Sequence, residues 1–245
     1  MNFLAHACWC LDQPHLVAGT AVPDWLVVAD RRVRIRWRDL LPWLDSPDPH
    51  MAALAQGIAQ HLQDDARFHG LPVFVELSAR LALEIRDHLD GDPSFRPAFL
   101  GHLLVELLLD AALAAEDPGR LTAYYQSLAA VEPRAIERMV NRIGGRSTTQ
   151  LARFIERFRG AQVLWDYLGD RSLLRRLNQI MNRVGFEPLP DRFVAFLPVA
   201  RELVASRWRE LLEGIPTTWR LAALPMVDLP NVETHGTSGT SQTGK

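Results

Sequence analysis

Lysine is nearly missing from this chain. Of its 27 basic residues the only lysine is Lys245, so arginine carries almost all the positive charge. Arginine abundance on that scale is no sign by itself of phosphate binding. The net charge of −2 excludes a global attraction to nucleic acid or to an acidic membrane surface. Cysteine is scarce as well. Cys8 and Cys10 are too close together for a disulfide framework, and no second pair completes a zinc knuckle, so both are expected to be small, half-buried thiols. Residues 1–12 lack the basic start and long apolar centre of a secretory signal. The longest apolar stretch, Leu103–Leu109, is broken by Glu106, and no run approaches the roughly 18 apolar residues that span a bilayer. A cytoplasmic location without a transmembrane segment is the expectation.

What is present is an ordinary globular composition. Hydrophobic residues make up 48% and charged residues 23% of 245 positions, enough to bury a sizeable core. Apolar residues recur at helical spacing nearly everywhere, so the expected class is all-α, one multi-helix domain over residues 1–228. Residues 229–245 are rich in Thr, Ser and Gly without periodicity and are expected to be a disordered tail. No repeat of fixed period is found. One stretch alternates strictly, Val33-Arg34-Ile35-Arg36-Trp37-Arg38, and predicts a short β element at 33–38. Its arginines fit a charge-protected edge, or a docking surface for an acidic partner.

Helix boundaries follow from turn residues. A short buried helix is expected over 2–11, then a loop through Pro14 and Gly19, with Pro23 opening another short segment. Ser46-Pro47-Asp48-Pro49 signals a helix start, and Gly70 with Pro72 a stop, which predicts a helix from about His50 to His69. Further helices are expected over about 73–89 and 95–115, then 120–129, 133–142, 148–168, 171–183 and 191–213.

The residues that carry chemistry are spaced by four. His61, Asp65 and His69 stand in one predicted helix, and His102, Glu106 and Asp110 in another. Residues at i and i+4 share a helix face, about 40° apart. Two such faces opposed in a bundle core would hold two or more divalent ions (zinc, manganese or iron), with His6 and Asp24 as further ligands. The ligand set is then His6, Asp24, His61, Asp65, His69, His102 and Glu106, and Asp24 or Asp65 could bridge two ions or accept a proton from water. Glu106 is embedded among apolar neighbours, where an ionised carboxylate needs a partner. Gly101 in the same helix predicts a close backbone approach. Asp110 is the weaker ligand, expected to face solvent near the helix end. Arg67 and Arg80 are candidate phosphate clamps by residue type. His50 at a helix start and His88 near a helix end are read as structural. Against these readings stands the plain one, that a His–Asp pair at i, i+4 is an ordinary surface pair. The spacing disagrees with a diiron oxidase, which needs Glu and His three apart.

The chain resembles acyl-carrier-protein phosphodiesterases over about its first 110 residues. The resemblance rests on the opening Met-Asn-Phe-Leu-Ala-His, on Gly19 with Asp24 and Trp25, and on Gly57-Ile58 followed by His61 and Asp65. It departs at Leu62, where that family carries Arg, at His69 in place of a second Asp, and at Gly101-His102 in place of Asp-His. The resemblance implies an all-helical metal phosphodiesterase, HD-like in style, acting on a phosphopantetheinylated carrier protein. The departures are similar to zinc-dependent phospholipases C and zinc nucleases, which order His-x-x-x-Asp, His and His-x-x-x-Glu as His61, Asp65, His69, His102 and Glu106 are ordered here. Both resemblances imply metal-assisted cleavage of a phosphodiester. A non-catalytic helical metal-binding or interaction protein is the alternative.

Overall fold

Proline opens most of the long helices. It occupies one of the first two positions of α2 (Pro14–Ala29), α4 (Pro49–Phe68), α5 (Pro72–His88), α6 (Pro97–Glu116) and α8 (Pro133–Ile143), where its missing N–H would have had no helical partner. These follow a five-residue α1 (Phe3–Ala7) and a single-turn α3 (Trp37–Leu40). The remaining α-helices are α7 (Gly119–Ala129), α9 (Leu151–Ala161), α10 (Asp170–Val184), α11 (Leu197–Ala205) and α12 (Trp208–Glu213). The computed structural model describes residues 1–213 and 215, and the expected tail at 229–245 lies outside them. The chain is all-α, with no strand among the described residues.

Two helix pairs frame the molecule. α2 lies along α4, and α5 along α6. Each pair meets at glycine. A Cβ on Gly19 would overlap the Leu54 carbonyl and one on Gly57 the Leu16 carbonyl, so neither position admits a side chain. Gly101 on α6 meets the Ser78 carbonyl and Ala82 of α5 in the same way, which is the close approach its position predicted. α1 packs against α2, α4, α6 and α7. Phe3 from α1 and Trp25 from α2 both contact Phe158 of α9, with ring centroids 4.8 Å and 5.5 Å away. One hydrophobic cluster runs continuously from Met1 to Ile215.

Three expectations are corrected. Residues 33–38 form no strand: Val33 and Ile35 are buried between exposed arginines, but the segment runs as irregular backbone into α3 at Trp37. Alternating burial needs only a surface to lie on, whereas a strand needs a neighbour for its backbone. The Pro14–Pro23 region is no loop but continuous helix, because Gly19 serves the α2–α4 crossing and Pro23 is tolerated inside α2. α6 is long and apolar enough to cross a membrane, with a mean hydropathy of 1.8, although Glu106 interrupts it in sequence; 61% of that stretch is buried within the fold.

Candidate metal centre

His6, His61 and Asp65 form an inner group whose ligand atoms lie within 4.8 Å of one another. His61 and Asp65 stand one turn apart on α4, and α1 delivers His6 from the other side. The two imidazole rings stack at 4.1 Å. Each is oriented through its Nδ1. His61 Nδ1 lies 2.8 Å from the Thr20 carbonyl, and His6 Nδ1 lies 3.2 Å from buried Asp64. With Nδ1–H donating to these oxygens, Nε2 is the ring nitrogen that faces Asp65 in both, at 3.3 Å for His6 and 3.4 Å for His61. His6 Nε2 is buried and, although 3.3 Å from Asp65, makes no hydrogen bond of acceptable geometry. That is the arrangement a metal-ligating histidine requires. The Gln60 amide fixes the segment further by donating to the His6 carbonyl at 2.9 Å.

His69, His102 and Glu106 form an outer group of the same compactness. His69 closes α4, and His102 and Glu106 lie one turn apart on α6. His69 Nε2 sits 2.8 Å and His102 Nε2 3.4 Å from Glu106 Oε1. Phe74 backs both rings, edge to face, at 5.1 Å and 4.9 Å. The side chain of His102 is 45% exposed while that of His6 is fully buried, so the outer group opens to solvent at an imidazole and the inner group only through Asp65, which is 32% exposed.

The α-amino group of Met1 links the groups. It donates to Asp65 at 2.6 Å and to Glu106 at 3.3 Å. Burial pushes both carboxyl groups up, but neighbouring charge prevails and holds both well below the usual carboxylate range. His6, His61 and the ammonium do so at Asp65, and His102, His69 and the ammonium at Glu106. Burial also depresses His6, yet Asp64 and Asp65 outweigh it and hold its pKa near 9 in the metal-free protein. Asp24 shifts the other way. Burial raises its carboxyl, against the pull of His61 and His6.

The convergence divides the expected ligands. Six of the seven fall into the two groups, and His69 joins α6 rather than the rest of its own trio. Asp24 belongs to neither group, although its charge acts at Asp65, Glu106 and both inner histidines. Asp110 does not face solvent: it is buried, and its carboxylate accepts from Asn2, Leu4 and Ala5. Arg80 is exposed and pairs with Glu84 at 3.0 Å, and Arg67 is exposed, so neither is tied to either group. His50 stacks on His15 at 4.0 Å, and His88 contacts the Arg192 carbonyl at 3.2 Å, both away from the site. Burial pushes the Cys8 and Cys10 thiols up to about 12, which disfavours their thiolates. Sequence reasoning missed Thr20, Gln60, Asp64 and the Met1 amine. Asp64 adjoins Asp65 but points off its face, and a backbone carbonyl or an amine carries no sequence signature. No protein-family model, curated protein or solved structure matches the chain.

Proposed function

We propose that this protein is a metal-dependent phosphodiester hydrolase. The observation that carries the reading is the meeting of two imidazole–carboxylate groups from α1, α4 and α6 around one amine, with both inner Nε2 atoms directed at one carboxylate. His6, His61 and Asp65 would hold one divalent ion and His69, His102 and Glu106 a second, and the donor mixture suits zinc, manganese or iron. Divalent ions bound there supply positive charge for phosphoryl oxygens and lower the pKa of water.

The chain's own groups do the rest. Thr20 and Asp64 engage Nδ1 of the inner imidazoles, so Nε2 is the nitrogen an ion would take, displacing its proton from His6. Asp24, its pKa raised by burial, is the group suited to accept a proton from the attacking water. Phe74 walls the outer histidines, and the open side of His102 is where a phosphate ester enters. The resemblance of the first 110 residues makes a phosphopantetheinylated carrier protein the first substrate to try, with phospholipid and oligonucleotide as the other arms.

Metal analysis of purified protein, together with turnover of bis(p-nitrophenyl) phosphate, tests the reading. Two or more bound ions per chain are expected, with activity lost on chelation and in His61→Ala and His102→Ala while helicity is kept. A protein without metal or metal-dependent turnover refutes it. So does an effect of both substitutions on stability alone, which describes a non-catalytic helical protein.

A further inference from the structure

Helix α1 has five residues, too few to hold itself together in water. Its N-cap residue, Asn2, makes no capping bond with its side chain. The bonds that a cap would make come instead from a residue more than a hundred positions away. Asp110 Oδ2 accepts from the Leu4 N–H at 3.0 Å and Oδ1 from the Ala5 N–H at 2.8 Å, which satisfies the second and third amides of the helix. Oδ2 also accepts from Asn2 Nδ2 at 2.9 Å. The carboxylate is buried, so water offers those amides no substitute. His6 follows Ala5 directly, and Asp110 stands one turn beyond Glu106 on α6. The helix that carries the outer pair therefore grips the segment that carries an inner ligand.

We infer that Asp110 is a positioning residue for the inner group: its carboxylate caps α1 from α6 and so sets His6 Nε2 over Asp65. This rests on the metal reading of the site. Gln60 and Asp64 fix the far end of the segment and the ring, but neither touches the first turn of α1.

Cobalt(II) alone is the probe, titrated into full-length protein and followed by visible absorption and bound-metal analysis. Two backgrounds separate the groups: His102→Ala leaves the inner one intact and His61→Ala the outer one. Adding Asp110→Asn is expected to weaken cobalt binding at least roughly tenfold in the His102→Ala background and to leave it unchanged in the His61→Ala background. The exchanged pair Asn2→Asp with Asp110→Asn restores a donor–acceptor contact, gives α1 an aspartate N-cap, and is expected to recover inner-group affinity. It also supplies the folded variant if Asp110→Asn alone does not fold. Equal loss in both backgrounds, no loss in either, or no recovery in the exchanged pair overturns the positioning role. Wild-type protein that takes up no cobalt overturns the metal reading and this inference with it, whereas wild type that binds while Asp110→Asn binds equally well overturns this inference alone.

Discussion

Four carboxylates in this site respond differently to the same burial. Asp65 and Glu106 face imidazoles and an ammonium and are held ionised, while Asp24 and Asp110 are pushed toward the neutral form. For Asp110 burial raises the pKa to about 7 against the pull of the Leu4 and Ala5 amides. A folded-state value above the unfolded one means that the native state holds more protons between about pH 4 and pH 7. The contribution of Asp110 to stability is therefore full at the acid end of that window and is lost as pH rises through it. Asp65 and Glu106 act in the opposite sense, and their contribution is lost as pH falls below the usual carboxylate range. In urea denaturation of metal-free protein, wild type should lose stability relative to Asp110→Asn between pH 4.5 and pH 7, on the order of 2–3 kcal/mol. A difference that stays flat across the window would show that Asp110 is ionised throughout. Its role escaped the sequence because helical spacing alone put it on the ligand face near a helix end. Only the approach of α1 turned that position into a buried cap.

Among the helices, α4 has the most to do. It supplies His61, Asp65 and the closing His69, and it crosses α2 at Gly57. Its first turn is capped by Asp48, which accepts from His50 and Met51 at 3.0 Å and 3.4 Å. Asp48→Ala should lower the denaturation midpoint by about 1 kcal/mol of stability, with activity at saturating metal unchanged. Gly57→Ala should cost more, at least about 1–3 kcal/mol, because the added methyl meets the Leu16 backbone rather than a yielding side chain. It should also weaken metal binding, since His61 lies one turn further along the displaced helix. Equal midpoints for wild type and Gly57→Ala would show that α2 and α4 can separate freely. The start and stop of α4 were legible in Asp48-Pro49 and Gly70-Leu71-Pro72, since caps and breakers act within a few residues. The Pro14–Pro23 stretch was misread for the same reason, because glycine and proline are local breakers unless a neighbouring helix requires them.

Taken whole, the molecule closes a ring of acids and bases with chain segments that lie far apart. Ions bound to that ring would stabilise only the folded state. Removing them with a chelator should lower the midpoint of thermal unfolding, and zinc or manganese should restore it in proportion to the logarithm of free metal. A midpoint indifferent to chelator and metal would mean that the ring holds none. What the sequence determined alone is the helical class, most helix boundaries and the shared faces of His61 with Asp65 and of His102 with Glu106, because these depend on a period of 3.6 residues and on caps one turn long. What only the tertiary structure decided is which faces meet. His61 and His69 are eight residues apart, about 12 Å along a helix axis, so they belong to different groups. His69 finds its partners on α6, and His6 reaches Asp65 only because α1 is pinned between α4 and α6. Those pairings depend on glycine crossings and a buried cap between residues distant in the chain, and nothing local encodes them.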